Sequence, residues 1–314
     1  MQKHLGILAL TVGVSLVAAL SGNAQTISYD GFNYPDGGIA TQSGGDSFGW
    51  AYAWASSTAG SKIGTNTSVG LTYGDLMTDG GALQVGTPQV ASGTGTAGGT
   101  TASPQRTLTD TLGNLAAANG GTLWMSFLFY NPTYPTTLYY RQSNVGFFSG
   151  STSGLANGSE KADLGLPNGS ATVGTTFAAW GGTVSGSAPN VSSVSAFSPN
   201  VQFVLIELSV DNTTANDTYY AWFNLDPSLF ANNANSPSIA TADVSNSGAD
   251  LSSVNAIRFQ AGNANANGTN AFFTVDEFRM GDTFADVTPI PEPVATAFAA
   301  LGGLALLALK RRRQ

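Results

Sequence analysis

The stretch VQFVLIELSVDNTTANDTYYAWFNLDP, residues 201–227, has the pattern of a β-hairpin and decides the fold class. The even-numbered residues from Val204 to Val210 are apolar, and they share one face of an extended strand because successive side chains point to opposite sides. The odd-numbered residues from Phe203 to Asp211 share the other face. Polar residues 212–217 supply the turn, and aromatic residues continue on the return strand. We predict an antiparallel pair whose even-numbered face lies toward the core.

Similar β-rich runs recur along the chain, without sustained helical periodicity between them. The clearest runs are 26–34, 83–90, 122–130, 145–149, 201–211, 218–225, 254–260 and 271–280. The small polar residues of 91–103 and 231–250 predict loops, and 281–292 is interpreted as a linker. With weaker runs included, about a dozen strands would form one two-sheet sandwich over residues 25–287.

Charge is concentrated unevenly along the 314 residues, of which 10% are charged and 42% are hydrophobic. Five of the 11 cations lie near the two ends, so residues 25–293 hold six cations against 19 acids. Clustered Lys and Arg are needed to neutralise phosphates, so nucleic acid is not an expected partner. Cations, neutral glycans and apolar surfaces suit this acidic chain better.

The chain has no cysteine, and its only histidine is His4. If the leader that carries His4 is removed, the remaining chain has no Ser-His-Asp or Cys-His catalytic group and no His or Cys ligand for zinc. An enzyme built on this chain would depend on carboxylates, Lys, Tyr or a hard metal such as calcium.

The N-terminal residues MQKHLGILALTVGVSLVAALSGNAQ have the features of a secretory signal peptide over residues 1–24. A short basic start is followed by an apolar run from Leu5 to Leu20, and Gly22 and Ala24 suit cleavage before Gln25. The alternative is an uncleaved membrane anchor.

The C-terminal tail, residues 288–314, combines a Pro-Glu-Pro motif, an apolar run at 294–309 and a basic end. Sixteen helical residues span roughly 24 Å, slightly less than the hydrocarbon core, and the cations would stay on the cytoplasmic side. The tail resembles the PEP-CTERM sorting signal of exported bacterial proteins. Its matching residues are Pro291, Glu292, Pro293, Lys310, Arg311, Arg312 and Arg313.

That resemblance implies transient anchoring in the inner membrane, processing by a membrane exosortase, and delivery to the cell surface or extracellular matrix beside exopolysaccharide. The alternative is an ordinary C-terminal anchor. The expected transmembrane helix covers residues 294–309.

A second resemblance rests on the opening YDGFNYPDGGIA and GDSFGWAYAW, the hairpin above, and the closing FFTVDEFRMGDTFADV. Together they are similar to a concanavalin A-like, laminin G-like jelly roll, an all-β fold of two antiparallel sheets. The first and last strands of such folds lie side by side. We therefore expect residues 27–32 to neighbour residues 272–278.

Aromatic residues in or near predicted loops are the candidates for carbohydrate binding. They are Trp50, Trp54, Tyr139 and Tyr140. The alternative for each ring is packing, which is the expectation for Trp124 and Trp222 within strands. The resemblance to a fold used by many lectins is an analogy and does not establish binding.

Carboxylates give two further candidates. Glu207 and Glu277 are placed on what would be neighbouring strands of one sheet, as a glycan hydrolase or lyase would need, although the clustered acidic strand of laminarinase-like jelly rolls is absent. The favoured interpretation of both is as solvated strand residues. The calcium candidates are Asp211, Asn216 and Asp217, which are also the residue types that tight turns prefer, and Asp276 on a predicted strand.

The sequence thus predicts an exported jelly-roll protein that acts as a structural, adhesive or carbohydrate-binding component without being an enzyme. The alternative is a carboxylate-dependent glycan hydrolase or lyase on the same fold. Calcium is a possible ligand, and no other cofactor is expected.

Overall fold

A computed structural model gives the fold of most of the central region. It describes residues 26–44, 46–56, 63–65, 70–86, 102–130, 143–150, 159–166, 179–184, 190–196, 200–211, 217–261 and 272–290. Both candidate membrane segments, 1–24 and 294–309, lie outside these residues. Within the described part of the chain, no helix is long and apolar enough to cross a membrane.

The described chain is built mainly of strands. In order, the strands are β1 (Thr26–Asp30), β2 (Ala55–Ser56), β3 (Ile63–Thr65), β4 (Leu83–Gly86), β5 (Pro104–Thr107), β6 (Thr122–Tyr130), β7 (Ser143–Ser149), β8 (Ser159–Leu166), β9 (Ala179–Val184), β10 (Asn190–Ala196), β11 (Gln202–Ser209), β12 (Asp217–Phe223), β13 (Val244–Ala249), β14 (Val254–Ala261) and β15 (Phe272–Gly281). Helix α1 (Leu112–Ala118) precedes β6, and α2 (Phe284–Val287) follows β15. Three short 3-10 turns lie at Pro227–Leu229, Asn233–Asn235 and Ile239–Thr241.

The strands form two antiparallel sheets. The first has the order β13-β12-β11-β6-β15-β4-β3, with β1 also pairing with β15. The second has the order β10-β9-β8-β7-β14-β5-β2. The two sheets enclose one large core, so the all-β, two-sheet prediction is confirmed.

The predicted hairpin is present. The first and last strands also meet as predicted, but β1 pairs with residues 278–281 of β15 and not along 272–278, because Phe272–Val275 pairs with β4. Strand β11 pairs with β12 from Val204 opposite Phe223 to Ser209 opposite Thr218. The even-numbered face from Val204 to Val210 lies in the main core, as the alternation predicts. Strand β1 pairs with β15, with Asp30 opposite Phe278.

The other face of β11 is not solvated throughout, because a second hydrophobic core covers its start. Phe203 and Leu205 are fully buried there, together with the predicted strand-interior residues Trp124 and Trp222. This outer core is covered by side chains from the segments around residues 71–76, 225–242 and 284–290. The first sheet therefore has apolar packing on both faces.

Two segments interpreted as loop and linker are structured. Residues 231–250 include two 3-10 turns and β13, so low-complexity composition does not prevent ordered pairing there. Residues 284–290 form α2 and a packed extension, with Thr288 fully buried and Ile290 against the outer core. The folded unit therefore extends past residue 287 to Ile290.

Candidate functional site

The first sheet is split along one edge of β15, and charged side chains gather at the split. Strand β4 pairs with Phe272–Val275, whereas β1 pairs with residues 278–281. Between these pairings the register against β6 shifts between Asp276 and Arg279. The shift places Asp276 and Glu277 where β15 changes neighbours, and both are fully buried.

Glu277 holds the segment around residues 77–79 against the first sheet. Its carboxylate accepts hydrogen bonds from the Tyr29 hydroxyl at 3.0 Å, from the backbone N–H of Asp79 and from Arg279. Arg279 also donates to the carbonyl of Met77 and lies over the Tyr29 ring. Glu277 has φ of 55°, a strained conformation for a residue with a side chain, which these bonds hold in place.

Asp276 is a carboxyl group at the split whose pKa is strongly raised. Its oxygens accept hydrogen bonds from the N–H groups of Leu71 at 2.7 Å and Glu277 at 2.8 Å. Burial, together with the adjacent negative charge of Glu277, raises the pKa of Asp276 to about 8. Asp276 is therefore expected to carry a proton at neutral pH.

Above the split lies an exposed surface that we call the aromatic–acidic patch, formed by Asn33, Asp46, Phe48 and Asp79. Phe48 is 47% exposed, and its ring centroid lies 6.0 Å from that of Tyr29, whose hydroxyl end is next to Asp79. The Asn33 amide donates to Asp46 at 3.3 Å. An exposed ring and several hydrogen-bonding groups thus lie side by side.

The two acids of the patch act as a pair. Their carboxyl groups are within hydrogen-bonding reach, which lowers the pKa of Asp46 and raises the pKa of Asp79. A pair in direct contact is closer than the roughly 5 to 10 Å that separates the two carboxyl groups of glycoside hydrolases. This pair suits hydroxyl or ammonium groups as a two-carboxylate acceptor.

A buried ion pair holds the loop that carries Phe48. Asp30 is 1% exposed and accepts from Tyr34 at 2.8 Å, from Trp54 at 2.9 Å and from the guanidinium of Arg106. Arg106 in turn donates to the Ser47 hydroxyl at 3.1 Å and to the carbonyl of Tyr52 at 3.2 Å. The 46–54 loop is therefore fixed to both β1 and β5.

The two tryptophans proposed as binding platforms both pack against the main core. Trp54 is 2% exposed and donates to Asp30, so its ring is part of the main core. Trp50 is half-buried, lies 5.3 Å from the Phe278 ring and donates to the Tyr29 carbonyl at 2.9 Å. Tyr139 and Tyr140 lie outside the described residues.

The exposed rings of the same stretch are Phe48 and Tyr52, which the sequence interpretation missed. All four rings occur at alternate positions and would share one face of a regular strand. Gly49 breaks that regularity with φ of +80°, where an added Cβ would lie 2.2 Å from the Ile27 carbonyl oxygen. The glycine in this stretch was therefore the one sequence feature that could have indicated a change in which rings face solvent.

Glu207 and Glu277 do not lie on neighbouring strands as predicted, because β6 separates β11 from β15. Glu207 is level with Trp124 on β6, which is opposite Gly281, four residues along from Glu277. Strand spacings place the two Cα atoms roughly 15 Å apart. Glu207 is half-buried, and burial raises its pKa.

Two of the calcium candidates, Asp211 and Asp217, lie together, and Asp276 lies apart from them on β15. The carboxylate of Asp217 accepts from the N–H groups of Asp211, Leu251 and Ser252, and Asp276 lies at the split in the first sheet. Asn216 is outside the described residues, as is the whole sorting motif. Where the structure describes side chains, no group of three or more His, Cys, Asp or Glu residues is arranged to hold a metal ion.

Comparison with known proteins gives distant structural matches alone. No protein-family model and no curated protein matches the sequence. A GH131 β-glucanase catalytic domain from Podospora anserina is similar at 12% identity and a TM-score of 0.44, over 83% of this chain and 100% of that one. The GH131 catalytic domain from Coprinopsis cinerea is similar at 12% identity and a TM-score of 0.39, over 72% of this chain and 81% of that one.

Alginate lyase vAL-1 from Chlorella virus is similar at 10% identity and a TM-score of 0.35, over 74% of this chain and 93% of that one. At these identities and TM-scores the matches do not identify an activity. The function of this chain therefore has to be argued from its own residues.

Proposed function

We propose that this chain is an exported surface or matrix protein that binds glycans through the aromatic–acidic patch without cleaving them. The observation that carries the proposal is the exposed ring of Phe48 beside the Asp46–Asp79 pair and the Asn33 amide. Sugars present apolar C–H faces and hydroxyl groups, which an aromatic ring and carboxylate acceptors match. The two-sheet sandwich, proposed to be of the concanavalin A-like jelly-roll type, provides a rigid support.

Three features support binding over hydrolysis. Glu277 is buried and engaged by Tyr29, Asp79 and Arg279, so it does not face a substrate. The Asp46–Asp79 pair is in direct contact, and Glu207 lies far from Glu277 along the sheet. This arrangement differs from two carboxyl groups facing each other across a cleft.

Charge defines the glycan class. Residues 25–293 hold six cations against 19 acids, and the patch itself carries two carboxyl groups. Uronic-acid polymers would meet like charge, whereas neutral and amino-sugar polymers would not. We therefore assign neutral or partly de-N-acetylated glycans to the patch.

Glycan retention by purified residues 25–290 tests the proposal. We expect binding to neutral or amino-sugar polymers, and Phe48→Ala should weaken it by about tenfold, the effect of losing an aromatic anchor. Asp79→Asn tests the acid pair with nearly unchanged shape. Ile239→Ala is the matched control, because Ile239 is 50% exposed and outside the patch.

Two results would overturn the proposal. One is the absence of retention across a broad glycan array, and the other is equal loss of binding in Phe48→Ala and Ile239→Ala. Release of reducing ends or unsaturated products by the same protein, abolished by Glu207→Gln or Glu277→Gln, would show that the chain is an enzyme.

The proposed location rests on the sequence of the two ends. The signal peptide, the Pro291–Pro293 motif and the basic terminus would export the domain and anchor it in the inner membrane until an exosortase-type enzyme processes the tail. Fractionation of cells that express the full chain tests this route. Replacement of Pro291, Glu292 and Pro293 by alanine should retain the protein in the membrane fraction, and unchanged release would refute this role.

A further inference from the structure

The last described residues are fastened to the domain and do not form a free linker. Ser126 donates to the Val287 carbonyl at 2.6 Å, and the backbone N–H of Ala231 donates to the Thr288 carbonyl at 2.9 Å. The N–H of Met77 donates to the Pro289 carbonyl at 2.9 Å, and Ile290 packs against the outer core. The chain therefore leaves the domain at a defined place.

That place adjoins the aromatic–acidic patch. Met77, which holds Pro289, is two residues from Asp79, and two residues of extended chain span at most about 7 Å. Arg279 bonds both to the Met77 carbonyl and to Glu277, which bonds to the Asp79 backbone. The exit point and Asp79 of the patch are thus held by the same part of the sheet, about 10 Å apart.

The chain between the exit and the apolar run is short. Residues 291–293 alone separate Ile290 from Val294, so the connection spans at most about 14 Å. The headgroup layer occupies about 6 Å of that length on each side of the bilayer. A domain of this size is about 45–50 Å across, so a patch near the exit belongs to its membrane-facing half.

We infer that the membrane-anchored chain holds the aromatic–acidic patch against the bilayer, and that removal of the tail exposes the patch to polymeric glycan. The inference rests on the proposed function, because it concerns the same patch and the predicted anchor. Anchoring excludes a long polysaccharide sterically, while a short oligosaccharide still enters. Tail processing therefore switches on matrix binding as well as releasing the protein.

Three proteins test the inference. They are residues 25–290 in solution, residues 25–314 in lipid nanodiscs, and the nanodisc form with 30 Gly/Ser residues inserted between Ile290 and Pro291. The insertion has a root-mean-square length of about 30 Å, enough to lift the exit clear of the headgroups. The affinity of each protein is measured for the polymer that the soluble domain retains and for a tetrasaccharide of the same sugar.

We expect the anchored form to bind polymer at least tenfold more weakly than the soluble domain, the inserted form to recover binding, and all three to bind tetrasaccharide alike. Equal polymer binding by the anchored and soluble forms would overturn this inference while leaving the proposed function intact. If the soluble domain retains no glycan, the proposed function fails and the inference falls with it. Failure of residues 25–314 to insert into lipid would remove the anchor and also overturn it.

Discussion

Replacing Asp30 with asparagine probes the buried ion pair that fixes the 46–54 loop. Both oxygens of Asp30 are occupied, one by Phe32 N–H at 2.9 Å and the other by Tyr34, Trp54 and Arg106. An asparagine side chain replaces one of the two acceptor oxygens by an NH2 donor. In either orientation this NH2 group would face at least one of the donors that now bond to Asp30. The substitution also leaves the guanidinium of Arg106 buried without its counter-charge.

Breaking a buried pair by removing one partner costs about 3–5 kcal/mol. Asp30 and Arg106 are 1% and 3% exposed, so solvent screens little of this cost. We expect Asp30→Asn and Arg106→Met each to lower the free energy of unfolding by that amount. The double variant removes both charges, and its loss should be smaller than the sum by about 2–3 kcal/mol.

Chemical denaturation of residues 25–290 measures all three variants. Lys161→Met is the matched control, because the Lys161–Asp250 pair at 3.2 Å is about a quarter exposed and should contribute no more than about 1 kcal/mol. If the single variants do not fold, recovery of cooperative unfolding by the double variant is the same test. Additive losses, or a cost below about 1 kcal/mol for Asp30→Asn, would refute the reasoning.

Three further predictions concern the split and the outer core. The native pKa of Asp276 is raised to about 8, so the folded state holds a proton that the unfolded state loses above about pH 4, and stability should fall as pH rises from 4 to 8. Asp276→Asn should reduce this fall without abolishing it, because the pKa values of Glu160 and Asp286 are also raised, to about 7 and about 6; unfolding free energies at pH 5 and pH 9 measure it, and an unchanged slope would contradict it. Phe203→Ala should cost about 3–5 kcal/mol, because the Phe203 ring is fully buried against Phe230 at 4.8 Å. A chain ending at Val287 should unfold about 2–4 kcal/mol more easily than one ending at Ile290, since it loses the bonds of Thr288 and Pro289; equal stability would restore the linker interpretation.

The fold was predictable where a local pattern carries the information. Alternation in residues 204–210 identified the core face of β11, because a strand in a two-sheet sandwich must bury at least one face. The outer core was missed because the segments that cover Phe203 and Leu205, two distant in sequence and one directly after the hairpin, give no sign of this packing in their own composition. The one local indication of the outer core was that the start of β11 is apolar on both faces.

The candidate site was predicted only in part, for a related reason. Glu277 was singled out as a carboxylate within a strand, but its partners Tyr29 and Asp79 are 248 and 198 residues away. The stretch around Trp50 was predicted to lie in or near a loop, but the rings it exposes are Phe48 and Tyr52 and not Trp50 and Trp54. Which rings face solvent depends on the turn at Gly49 and the Arg106 network, which no spacing rule encodes.

The pairing of β1 with β15 also constrains when the domain can fold. Roughly 250 residues separate Thr26 from its partner Gly281, so at 5–20 residues per second the first strand waits roughly 10–50 s for the last one to be synthesised. Strand β6, at the centre of the same sheet, also needs β15 on one side. Until then apolar strands are unpaired and prone to aggregate, and such long-range pairing favours slow folding. A chain that cannot close its sheet early remains unfolded until its final strand emerges, which suits the proposed export, because a narrow channel admits only unfolded chain.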